Sequence, residues 1–77
     1  MPKIKPVHYK QLIKIFEKFG FSIRGTRGDH ISMTKPGVSR PVVIKTSPKE
    51  VPITHIRTNM TTAGMSREEY FKILENI

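Results

Sequence analysis

The chain has 77 residues and a formal net charge of +8, from fourteen Lys or Arg against six Asp or Glu. That length has room for one hydrophobic core, so residues 1–77 are expected to form a single domain. Cysteine is absent, which excludes disulfide staples and thiolate metal sites, and no run approaches the ~18–20 apolar residues of a membrane span.

The opening, Met1-Pro2-Lys3-Ile4-Lys5-Pro6, is basic with no apolar run behind it. It does not read as a signal peptide, and a cytoplasmic location is expected. Residues 1–7 are expected to form a flexible basic arm. Residues 8–19 carry a helical pattern, with Tyr9, Leu12, Ile13, Phe16 and Phe19 on one face at spacings of three and four. Lys10, Lys14 and Lys18 line the opposite side. Gly20 fits the position just past the helix, where positive φ stops it.

Three short strands are expected next. Phe21-Ser22-Ile23-Arg24 alternates apolar and polar, Gly25-Thr26-Arg27-Gly28 reads as a turn, and His30-Ile31-Ser32-Met33-Thr34 alternates again. Lys35 to Ser39 suits a hairpin loop, with Pro36-Gly37 at its centre. Pro41 to Lys45 is the third strand, and Thr46 to Pro52 a linker. Ile53, Ile56, Met60 and Ala63 mark a second helix ended by Gly64. Ser66 and Glu69 form a capping-box pair that opens a last short helix, with Tyr70, Leu74 and Ile77 on one face. The order predicts an α+β fold: a three-stranded antiparallel meander with both main helices on one face and a short C-terminal helix.

Strand parity divides the sheet. Phe21, Ile23, Ile31 and Met33 face the helices, while Ser22, Arg24, Thr26, His30, Ser32 and Thr34 face water. Twelve of the basic residues lie in residues 1–65, against Glu17, Asp29 and Glu50 alone. Such a field attracts a polyanion: nucleic acid, an anionic membrane or an acidic protein.

The segment Arg24-Gly25-Thr26-Arg27-Gly28-Asp29-His30 concentrates the chemistry. Its glycines admit a phosphate close to backbone donors, its arginines grip phosphate, and an imidazole exchanges protons near neutral pH. RNA strand cleavage needs a base for the 2′-hydroxyl, an acid for the leaving 5′-oxygen and positive charge at the phosphate, with no metal required. Asp29 either orients the imidazole or completes the turn. For the catalytic reading the candidates are His30 for proton transfer and Asp29 for orientation, with Arg24, Arg27, Gly28, Ser32, Lys10, Lys14 and Lys18 to hold RNA. The alternative is a module that binds structured RNA, or an acidic partner protein, without turnover. His8, His30 and His55 occupy three different elements with no local ligand spacing, so no metal site is expected. Neither nucleotide-binding glycine fingerprint is present, and no small-molecule cofactor is expected. The aromatic residues are needed in the core, so contacts to the nucleic-acid backbone suit this composition better than base stacking.

The chain resembles the HicA toxin family, also called YcfA-like, from about Tyr9 to Leu74. The resemblance rests on four stretches. They are the helix Leu12 to Phe21, the Arg27-Gly28-Asp29-His30 turn, the strand around Val42-Val43-Ile44, and Ile53 to Arg57 followed by Ala63 to Phe71. It implies a fold like a double-stranded-RNA-binding domain and metal-free cleavage of mRNA, single- or double-stranded. It makes His30 the catalytic residue and Gly28 the shaper of its turn. It also implies a HicB-like antitoxin as partner, with no membrane role. Two positions depart from the family pattern. Asp29 stands where Ser or Thr is usual, and Lys45-Thr46-Ser47-Pro48 lacks a histidine found there in many members.

Overall fold

The computed structural model describes residues 3–77. Eight elements follow in order: β1 (Val7–His8), α1 (Tyr9–Lys18), β2 (Ser22–Arg27), β3 (His30–Thr34), β4 (Val42–Lys45), β5 (Glu50–Val51), α2 (Ile53–Ala63) and α3 (Arg67–Glu75). β2, β3 and β4 form an antiparallel sheet in that order. This is the expected α+β meander with its two main helices and short C-terminal helix.

α1 starts where the His8 Nδ1 accepts from the Lys10 N–H at 3.2 Å. It ends where Gly20, at φ 103°, turns the chain and both freed carbonyls find donors. The Phe21 N–H donates to the Phe16 carbonyl at 2.9 Å and the Gly20 N–H to that of Glu17 at 3.0 Å. The same pair of bonds closes α2, from Met65 to Met60 and from Gly64 to Thr61. The capping box of α3 forms as read: Glu69 N–H donates to Ser66 Oγ and Ser66 N–H to Glu69 Oε1 at 2.8 Å. Those bonds hold the Glu69 carboxyl below its usual pKa.

One apolar cluster joins the elements. Leu12, Ile15 and Phe16 of α1 and Ile56, Met60 and Ala63 of α2 pack on Ile31, Met33, Val42 and Ile44, with Tyr70 of α3 closing the cluster. Each fully buried aliphatic or Phe side chain contributes about 1.5–3 kcal/mol from removal of apolar surface from water. Phe21 sits edge-on to Phe16, with ring centroids 5.7 Å apart.

Several expectations are corrected. The arm is tied down rather than flexible: Ile4 is buried, and Val7–His8 pairs with Glu50–Val51, so the expected linker contains a strand. Met1 and Pro2 lie outside the described residues. The turn after Arg24 is shorter than read, because β2 continues to Arg27 and only Gly28-Asp29 connects it to β3. The register shifts between Ile23 and Gly25, so Arg24 bulges out. Thr26 consequently pairs with Ile31 on the helix-side register instead of the open one. Ile23 pairs with Met33 yet stays 48 % exposed, because both helices pack against β4 and β2 is the far edge. Ile77 is likewise exposed and does not extend the apolar face of α3.

Candidate active site

The hairpin between β2 and β3 fixes the central residue. Gly28, at φ 59°, begins a two-residue loop, and Asp29 follows with negative φ, the pattern of a type II′ turn that matches strand twist. No atom lies within 4 Å of where a Gly28 side chain would begin, so backbone conformation and not crowding selects glycine here. The Asp29 carbonyl accepts from the Thr46 N–H at 2.8 Å and from its hydroxyl at 3.3 Å. The turn is thus anchored to the end of β4.

With the loop set, pairing places Arg27, His30 and Lys45 side by side in one row across the open face. Directly paired residues of antiparallel strands lie about 4.5–5.5 Å apart, so two cationic side chains flank the imidazole. The next row is Gly25, Ser32 and Val43. His30 Nδ1 lies 2.8 Å from Asp29 Oδ1, with both side chains about half exposed. A carboxylate accepts only, so this contact puts a proton on Nδ1 and leaves the lone pair on Nε2.

A cavity of about 250 Å³ opens beside His30 and is lined by Val43, Lys45, His55, Thr58 and Asn59 as well. It is smaller than the ~300–1,000 Å³ of ordinary small-molecule pockets, and suits a fragment of a larger chain. Its far wall is α2. Lys45, His55 and Asn59 were not among the candidates read from sequence. Lys45 points outward by strand alternation, and His55, Thr58 and Asn59 form a polar stripe at helical spacing. Those signals were legible, but their convergence on His30 is tertiary.

The other expected residues distribute as follows. Arg27, Gly28, Asp29 and Ser32 lie on the hairpin and open face around His30, and Arg24 lies at the bulge. Lys10, Lys14 and Lys18 do not join them. They are exposed on the side of α1 away from the sheet, where shallow cavities bring Lys10 and Lys14 to His8 and Ile77, and Lys18 to Asn76 and Ile77. Among the described residues, no group of three His, Cys, Asp or Glu side chains is placed to hold a metal ion, and no helix is long and apolar enough to cross a membrane.

A family model described as the HicA toxin of bacterial toxin–antitoxin systems matches residues 9–65, from the start of α1 to just past α2. The match spans the whole sheet, the His30 hairpin and the His55 face. No curated protein matches the sequence.

Proposed function

The chain belongs to the HicA toxin family, and from that premise we propose that it is an endoribonuclease that cuts mRNA without a metal, with His30 as general acid–base. The observation that carries this reading is the row Arg27, His30 and Lys45 with Asp29 on the imidazole Nδ1. His30 Nε2 takes the proton of a ribose 2′-hydroxyl. The 2′-oxygen attacks the adjacent phosphorus, the bond to the 5′-oxygen breaks, and the departing oxygen takes up a proton. The products are a 2′,3′-cyclic phosphate and a 5′-hydroxyl. Arg27 and Lys45 stabilise the charge that grows on the phosphoryl oxygens. Asp29 is a positioning residue that fixes the tautomer.

The partner in this reading is a HicB-like antitoxin that covers the open face. Val43, 42 % exposed on the edge strand β4, lies on that face in the row next to His30.

Single-turnover cleavage of RNA in a chelator tests the proposal. His30→Ala is expected to lower the rate by about 10²–10⁴-fold, the usual range for a positioned acid–base. The fold should survive, since His30 is exposed. Equal cleavage by the variant, or loss of wild-type cleavage on chelation, contradicts the proposal.

A further inference from the structure

Strand cleavage moves two protons, one off the 2′-hydroxyl and one onto the departing 5′-oxygen. His30 accounts for the first. The cavity it borders contains a second imidazole, His55, reached from α2. His55, Thr58 and Asn59 share one side of that helix at spacings of three and four. His8 is not available for this role, because it caps α1 and stacks on Tyr9.

Asn59 supplies the independent sign of a ligand. It is only 6 % exposed, and its Nδ2 is buried with no hydrogen-bond partner. An unpaired buried donor is costly and uncommon in native folds. Here it stands in the wall of a cavity that also presents Lys45 and two imidazoles. A turn of that side chain toward the cavity gives the donor an acceptor brought from outside, and the non-bridging oxygens of a phosphodiester only accept. Thr58 does not compete for that acceptor, since its hydroxyl donates to the Thr54 carbonyl at 3.0 Å.

We propose that His55 is the second proton-transfer group of the reaction, the general acid for the leaving 5′-oxygen, with Asn59 donating to an oxygen of the bound ribose-phosphate. The assignment rests on the ribonuclease reading above. As the bond from the 2′-oxygen to phosphorus forms, the 2′-hydroxyl proton passes to His30. As the bond from phosphorus to the 5′-oxygen breaks, the proton of His55 passes to that oxygen. One imidazole is protonated and one deprotonated, so the pair keeps its total charge, and exchange with water resets it.

An RNA carrying sulfur in place of the bridging 5′-oxygen, at a site first mapped with the wild type, separates the two imidazoles. A thiolate leaves without an acid. On ordinary RNA, His55→Ala and His55→Gln are each expected to be slower by about 100-fold or more. On the sulfur substrate both should return to within about threefold of wild type, while His30→Ala stays slow on both. Circular dichroism checks that the variants fold. Wild-type rates for the His55 variants on ordinary RNA would overturn the assignment and leave the His30 reading standing. Slow cleavage of both substrates would overturn it too, by making His55 a binding group. A wild type that cleaves neither substrate removes the ribonuclease reading and this inference with it.

Discussion

Two basic surfaces of the molecule differ in geometry more than in charge. On α1, Lys10, Lys14 and Lys18 repeat every four residues, exposed, beside Glu17 and the C-terminal Asn76 and Ile77. On the open face, Arg27 and Lys45 are fewer, but strand pairing holds both against His30 at the mouth of a cavity. A helical stripe of flexible cations attracts a polyanion from a distance and screens away with salt. In the proposed reaction, a row fixed by register directs charge at one phosphate. Net charge alone does not distinguish the two arrangements.

That distinction can be broken at either surface. The largest effect is expected from the open face. Arg27→Ala combined with Lys45→Ala should lower the cleavage rate at saturating RNA by about 10–100-fold, by analogy with loss of preorganised groups that stabilise transition-state charge. Stopped or quenched-flow cleavage measures it. A change confined to affinity would reduce the row to a second attracting surface.

The stripe should respond in the opposite way. Lys10→Gln, Lys14→Gln and Lys18→Gln together should weaken RNA binding by about tenfold at low salt and flatten the slope of log affinity against log salt by about two. Turnover at saturating RNA should hold. A fall in turnover matching that of the Arg27 and Lys45 pair would erase the contrast.

The smallest effect sharpens it on the cavity side. Asn59→Leu removes a buried donor that has no partner in the protein. Thermal unfolding should show unchanged stability or a gain of up to about 1 kcal/mol, because no internal hydrogen bond is lost. RNA affinity should nevertheless fall. A stability loss like that of a broken core contact would show that Asn59 serves the fold alone.

Much of this architecture is legible in the chain. The stripes of α1 and α2, the stop at Gly20 and the Ser66–Glu69 box are local signals with local causes, and each appears where the pattern places it. The β1–β5 pairing is not legible, since two-residue strands carry no period and Val7 meets Val51 only through tertiary folding. The bulge at Arg24 is invisible for a related reason. Alternation shows which residues share a face only while the register is unbroken, so Thr26 is misread and His30, on the far side of the turn, is not. His30 could be placed on the open face from parity alone. Lys45 needed the β3–β4 register, and His55 needed the packing of α2 beside β4, neither of which a single strand or helix records.

The product ends of the cut RNA test the central claim most directly. Purified protein in a chelator, given RNA and the same RNA with one 2′-deoxy nucleotide at the mapped site, should leave 2′,3′-cyclic phosphate and 5′-hydroxyl ends on the first and no cut at that position on the second. Products with 5′-phosphate ends, or cleavage that persists without the 2′-hydroxyl, would contradict an imidazole acting at the ribose and the account built on His30.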